Sequence, residues 1–339
     1  MMITRASIIT ILLILIGYTF LRTPESTPHP EKAYISVESG GQLGNQLFHL
    51  STALAYAKEY DLEPRFPILN EQFNNLSYNR DRIFFRLETT PAPVSLVGYS
   101  VIKPNYEELP RDLRNVNLKG GFFSWKYFNH YRDFILETFA PSRDVLSYIH
   151  LKYGDLIASD NTVSVHVRTY SPQIHDEGLH FVGMRYFEDT LNAFPEDCQF
   201  VIFSDRINWC KEHFIQRFPD KKFVFIEGND HVEDLFLMSM MKHHILSKST
   251  YSWWGAYLNK NPDKIVYAPI KKGLFLSERI KKPINVVLSW FGKHYWSNED
   301  YYLPEWNIAY YDLEPYPLDI YQYDEQTKSV DTREMHPTV

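Results

Sequence analysis

The chain has 339 residues, 44% hydrophobic and 23% charged, with a formal net charge of −7 at pH 7. That length exceeds one ordinary core and sets a prior of two domains of about 150 residues each. Between 311 and 339, seven acids stand against two basic residues and supply −5 of the charge, so the body is nearly neutral. Such a body excludes a nucleic-acid-binding stripe and requires a local cluster for any anionic ligand.

Residues 6–21, ASIITILLILIGYTFL, are uncharged and lie between Arg5 and Arg22. A helix of that length rises roughly 24 Å, short of the ~20 residues a span usually takes, but flanking arginines and a thin bilayer narrow the gap. A cleaved signal peptide is the rival reading. Against it, Thr19, Phe20, Leu21 and Arg22 stand where a small-x-small cleavage site is needed. The expectation is a membrane anchor over 1–22 and a polar, proline-rich stem over 23–32.

The body opens with AYISVE (33–38), which reads as a strand, then the loop SGGQLGN. A helix from about Gln46 to Tyr60 follows, on the spacing of Leu47, Leu50, Leu54 and Ala57. Strand, glycine loop and helix make the first unit of a Rossmann-like domain. Glycines admit close backbone approach and free amides at a helix start attract anions, so Gly41, Gly44, Asn45 and Gln46 are candidate ligand contacts. Asn45 serves equally well as a plain N-cap. Residues 62–105 are irregular and receive no assignment. VNLKGGFFSWKYFNHYRDFILETFA then predicts a strand, glycines and an aromatic-rich helix ending before Pro141. This first Rossmann-like domain covers 33–158. Asn75-Leu76-Ser77 is a glycosylation sequon that matters only in a lumenal body.

From 159 to 315 the pattern alternates. Strands TVSVHV, CQFVIFS, KFVFIE, HILS and KIVYAP are separated by helical stretches MRYFEDTLNAF, INWCKEHFIQRF, HVEDLFLMSMMK and STYSWWGAYLNK. Alternation of this kind predicts a parallel, doubly wound sheet, and hence a second Rossmann-like domain across a cleft from the first. The acidic tail, 316–339, is too poor in apolar residues to fold alone.

Candidate chemistry gathers at strand ends. In TVSVHVR, period 2 sends Val163, Val165 and Val167 to one face and Ser164, His166 and Arg168 to the other. Arginine at the carboxyl edge of a parallel sheet suits a phosphate, while a structural ion pair and a satisfied core histidine explain the same residues blandly. Ser204 and Asp205 close CQFVIFS at the same edge. Ser247, Ser249, Thr250 and Ser252 cluster where a strand passes into a helix, placed for pyrophosphate or for simple capping, and Asp234 can accept from a guanine edge or a ribose hydroxyl. Trp253 and Trp254 could stack on a ring, though tandem tryptophans more often fill a core. Cys198 and Cys210 are expected as free thiols, one disulfide being the alternative. No Asp-x-Asp pair follows a strand, no spaced His/Cys set occurs, and no Gly-x-Ser-x-Gly elbow is present, so neither a metal site nor a serine hydrolase is expected.

Taken together these segments resemble the α-1,2-fucosyltransferases of glycosyltransferase family 11. The family's Gly-Gly-x-Gly-Asn-Gln loop is similar to Gly40, Gly41, Gly44, Asn45 and Gln46, with one extra residue before Gly44. Its glycine-aromatic-Ser-x-Lys-Tyr-Phe stretch is met by Gly121 to Phe128, and its His-x-Arg strand end by His166 and Arg168. Ser204, Asp205, Trp209 and Cys210, residues 247–258, and Leu303-Pro304-Glu305-Trp306 match further signatures, so the resemblance runs from about 34 to 315.

The resemblance implies a GT-B fold of two Rossmann-like domains facing a cleft, here preceded by one transmembrane helix. It implies GDP-β-L-fucose as donor, no metal or other cofactor, and inverting transfer to O2 of a terminal galactose on a glycan. Arg168 would hold the β-phosphate with Ser249 and Thr250, His166 and Asp234 would meet the ribose or guanine, and Asn45 the fucosyl-phosphate region. After Arg168 the family continues Arg-Gly-Asp-Tyr, whereas Thr169, Tyr170 and Ser171 stand here, so His175, Asp176 and Glu177 in the following loop are the candidate bases, and a dissociative transition state does not strictly require one. Alternatives are a fucosyltransferase with another glycan or a peptide acceptor, and a binding protein without turnover. In a eukaryote the anchor implies a type II Golgi protein with a lumenal body.

Overall fold

A computed structural model describes residues 32–102, 105–170, 180–272 and 298–320. The expected anchor, nearly all of the stem, and the loop with Asp176 and Glu177 lie outside the described residues. Among the described residues no helix is long and apolar enough to cross a membrane.

Among the described residues ten strands form two wholly parallel sheets. The first contains β1 (Tyr34–Val37), β2 (Glu63–Pro64), β3 (Val97–Val101) and β4 (Val116–Gly120) in the order β2-β1-β4-β3. The second contains β5 (Thr162–Val167), β6 (Gln199–Ser204), β7 (Lys222–Phe225), β8 (His243–Ile245), β9 (Val266–Lys271) and β10 (Asn307–Tyr311) in the order β10-β9-β8-β5-β6-β7. This is the two-sheet α/β arrangement anticipated above.

The crossover helices explain the alternating pattern. Helix α1 (Leu43–Tyr60) follows β1; α2 (Arg132–Thr138) and α3 (Arg143–Ala158) follow β4. In the second half α4 (Met184–Leu191), α5 (Ile207–Arg217), α6 (His231–Ser239) and α7 (Thr250–Leu258) connect successive strands from β5 to β9. Central strand β5 is buried on both faces, as a sheet covered by helices requires. Val163, Val165 and Val167 join the core that Phe187, Phe200, Trp209 and Phe214 fill. The opposite face turns Ser164 toward His244, with Oγ and Nδ1 2.7 Å apart, and His166 toward Ser247.

Several boundaries differ from expectation. Helix α1 starts at Leu43, so Asn45 lies inside its first turn and Gln42 takes the cap position without a side-chain bond. The aromatic segment before Pro141 is two 3-10 turns, Trp125–Tyr127 and Asn129–Tyr131, ahead of the short α2. Strand β8, His243–Ile245, starts one residue before the predicted HILS and stops two residues short of its end. The unassigned stretch 62–105 supplies β2 and β3. At the far end, residues 316–320 are packed: Ile320 is buried, and an Asp319 carboxylate oxygen lies 2.7 Å from Nε2 of His213. Ile320 joins the core of the second sheet and Tyr316 packs against it, so the start of the acidic tail docks on the body; 321–339 lie outside the described residues.

Candidate active site

Arg168 stands immediately after β5 with its side chain 38% exposed, and its Nη1 lies 3.3 Å from Oδ2 of Asp205 at the end of β6. Asp205 is itself fixed: its carboxylate accepts the Thr169 backbone N–H at 3.0 Å and the Thr169 hydroxyl at 3.2 Å. The guanidinium also lies over the Tyr170 ring, 5.3 Å from its centroid. Tyr170 takes a left-handed φ of 57°, which turns the chain back so that its hydroxyl donates to Lys248 O at 2.6 Å. A charge held by a carboxylate and a ring face is positioned without being fully withdrawn from solvent.

The β8–α7 junction adjoins it. Ser249 caps α7 by accepting from the Tyr251 N–H at 3.2 Å, and the start of a helix presents amides without intrahelical acceptors. The hydroxyl of Thr250, the first helical residue, donates to Asn45 Oδ1 at 2.8 Å, which ties the glycine loop of the first sheet to this helix start. Two glycines make that approach possible. A Cβ at Gly44 would meet Thr250 Oγ1 and the Tyr251 nitrogen, both at 2.6 Å, while Gly41 has φ +71° and a Cβ there would fall 2.2 Å from Asn45 Nδ2.

Other expected site residues turn inward. His166 is 6% exposed, shares a 2.6 Å hydrogen bond with Ser247, and packs its ring 5.4 Å from that of Tyr251. Burial, aided by the charge of Arg168, lowers its pKa to about 3, so it is neutral and orients Ser247 instead of facing a nucleotide. Ser252 donates to Ser247 O and Ser249 O, both at 3.3 Å, and Ser204 donates to Val167 O at 2.8 Å. Gln46 is fully buried: its amide donates to Gly41 O and Asn74 O, and its oxygen accepts from Asn79. These residues shape the loops from behind.

Asp234, near the start of α6, accepts from Asn229 at 2.9 Å, and burial raises its pKa to about 7. It neighbours Tyr251, whose hydroxyl donates to His231 O at 2.6 Å, so the α6 start and the α7 start are joined. Trp253 and Trp254 are core, Cys198 and Cys210 are free and buried, and His244 is held between Ser164 and Asn259. Among the described residues no three His, Cys, Asp or Glu side chains converge to hold a metal ion. Thr169 and Tyr170 went unrecognised as site residues because neither a carboxylate brace nor a left-handed tyrosine leaves a signature in residue spacing.

Parallel sheets whose carboxyl edges gather a braced arginine, a hydroxyl-rich helix start and a glycine loop suit a phosphate-bearing ligand. The chain belongs to glycosyl transferase family 11, whose profile matches residues 12–309. It is 30% identical over 289 residues to the O-antigen biosynthesis glycosyltransferase WbnK of Escherichia coli, covering 69% of this chain and 92% of that protein. It is 35% identical over 164 residues to an α-1,2-colitosyltransferase of Escherichia coli, spanning 46% of this chain and only about half, 55%, of that relative. Human galactoside α-(1,2)-fucosyltransferase 1 is 26% identical over 256 residues, 66% of this chain and 65% of that protein. The NodZ α-1,6-fucosyltransferase co-crystallised with GDP shares the fold, with a TM-score of 0.50, 11% identity, and coverage of 70% of this chain and 96% of that one.

Proposed function

We propose that this protein transfers L-fucose from GDP-β-L-fucose to O2 of a terminal galactose, with inversion to an α-1,2 linkage. The observation that carries the reading is the Arg168–Asp205–Thr169 brace beside the start of α7, with Asn45 reaching Thr250 from the other sheet. In this reading Arg168 holds the β-phosphate and takes up charge as GDP departs. Ser249, Thr250 and the first amides of α7 add donors, and Asn45 borders the fucosyl-phosphate. Asp234 accepts from the ribose or the base, and Asp176 or Glu177 takes the proton of the attacking hydroxyl. No metal takes part, so these donors carry all the leaving-group stabilisation.

The galactoside α-(1,2)-fucosyltransferase relatives support the acceptor and linkage. The colitosyltransferase relative favours a second reading, the same linkage with a colitosyl group. The uncharged run 6–21 fits an anchor for a type II protein, lumenal in the Golgi where the host is eukaryotic.

The test incubates the full-length chain with GDP-fucose or GDP-colitose, a panel of β-galactosides and EDTA, and reads GDP release and product linkage. Fucosyl transfer to galactose O2 that survives EDTA and falls at least a hundredfold in Arg168→Ala, ~3 kcal/mol of barrier, is the expected result. Preference for GDP-colitose would establish the second reading. Donor binding without release on any acceptor would overturn both in favour of a binding protein.

A further inference from the structure

A half-open pocket of about 290 Å³ lies along the later turns of α1, away from the braced arginine. Its α1 side is Thr52, Tyr56, Glu59 and Tyr60, which fall on one helical face. The facing wall comes from the loop after β3, with Tyr106, and from the 3-10 turns after β4, with Tyr127. None of these residues serves the chemistry assigned above.

The floor is rigid and aromatic. Tyr56 and Tyr127 are 6% and 8% exposed. Tyr56 donates to Pro110 O at 2.6 Å and accepts from Leu113 N–H, and the Tyr127 oxygen accepts from Glu107 N–H at 3.1 Å. Their hydroxyls are committed to backbone, so they offer ring rather than phenol. Tyr60 packs 4.5 Å from Tyr56, and Tyr106, 37% exposed, packs 4.8 Å from Tyr127, extending both walls to the rim.

Two ion pairs and a carboxylate–imidazole contact surround these rings: Glu108 with Arg111 at 3.2 Å, Lys126 with Asp300 at 2.5 Å, and Glu59 beside His130 at 3.1 Å. These side chains hold no excess of positive charge for an anion, which argues against a second nucleotide or phosphate. They do present donors and acceptors side by side, as the hydroxyls of a polyol require, while the C–H face of a pyranose packs on a tyrosine ring. At 1.5 Å per residue, Thr52 and Tyr60 lie about 10 and 22 Å along α1 from Asn45, a reach that an oligosaccharide spans and a monosaccharide does not.

We infer that this pocket is a remote subsite for a neutral oligosaccharide, holding the sugars of the acceptor that lie beyond the galactose receiving the transferred group. The inference rests on the proposed acceptor class.

Its test compares lactose with a neutral tetrasaccharide that ends in the same β-galactose, using the full-length chain. Transfer kinetics and saturation-transfer NMR without donor are read for the wild type, Tyr106→Ala and Tyr106→Phe. The expected result is a KM about tenfold lower for the tetrasaccharide, lost in Tyr106→Ala, kept in Tyr106→Phe, with kcat on lactose unchanged. Equal KM values for both acceptors in the wild type, or a length preference that survives Tyr106→Ala, would overturn it. If no galactoside is a substrate but tetrasaccharide binding is still seen and is lost in Tyr106→Ala, the pocket stands and the transfer reading falls. Absence of binding in the same case overturns both.

Discussion

At the scale of single residues, the departure after Arg168 is a substitution of one device for another. Where the family places a second arginine, Thr169 gives both its backbone N–H and its hydroxyl to Asp205, and Asp205 in turn orients Arg168. Thr169→Val keeps the shape and the N–H but removes the hydroxyl bond. The expected cost is about 1 kcal/mol of stability by urea unfolding, with a roughly tenfold fall in kcat/KM as the guanidinium loses its register. An unchanged kcat/KM would show that Asp205 is held well enough by the backbone alone. Gly44 makes a purely steric case. A Cβ there meets Thr250 Oγ1 and the Tyr251 nitrogen at 2.6 Å, and the backbone of α7 cannot yield as a side-chain tip could. Gly44→Ala is expected to lower stability by about 2 kcal/mol in urea, against less than about 0.5 kcal/mol for Gly40→Ala, whose Cβ would meet nothing within 4 Å.

At the scale of elements, α1 and α7 carry the join between the sheets. Phe48 on α1 is fully buried, 4.5 Å from the Trp253 ring and 5.3 Å from the Trp254 ring, with Phe128 and Phe123 each 5.7 Å away. Phe48→Ala is therefore expected to cost about 3–5 kcal/mol in urea unfolding, with loss of transfer as Asn45 and Thr250 separate. A cost under 1 kcal/mol would mean that the helices pack independently of this cluster. These helices were legible because both repeat apolar residues at helical spacing, and β5 to β9 because each strand alternates with a helix. The join itself was not. Asn45 reads locally as a cap, and only folding brings it to Thr250, 205 residues later. The GGFFSWKYFNHY stretch misled because aromatic density suits a helix, whereas its rings anchor two 3-10 turns against α1 and α7. Strand β10 escaped notice because an edge strand needs only a short apolar run, here NIAYY beside β9.

At the scale of the whole molecule, buried ionisable groups set how the fold responds to pH. Burial lowers the pKa of His49 to about 4 and of His166 and His244 to about 3, against an ordinary value of 6.5. The unfolded chain binds their protons first, so the stability they hold is complete above pH 6.5 and is lost as pH falls toward 4 for His49 and toward 3 for the other two. Asp234 acts in the opposite sense. Its folded pKa is raised to about 7 from 3.8, so the unfolded chain ionises first, the cost to the fold grows from pH 3.8 to about 7, and acidification relieves it. From pH 7 to pH 5 each of these histidines removes about 2 kcal/mol and Asp234 returns about 2 kcal/mol; burial lowers His231 and His243 as well, so the histidines outweigh the one carboxylate and the net change is a loss. Guanidinium unfolding at pH 7 and pH 5 should therefore give a lower midpoint at pH 5. His244→Asn should shrink that difference by about 2 kcal/mol and Asp234→Asn should enlarge it by about as much. A midpoint that is the same at both pH values in all three proteins would mean that these histidines reach solvent and carry none of the fold's acid sensitivity.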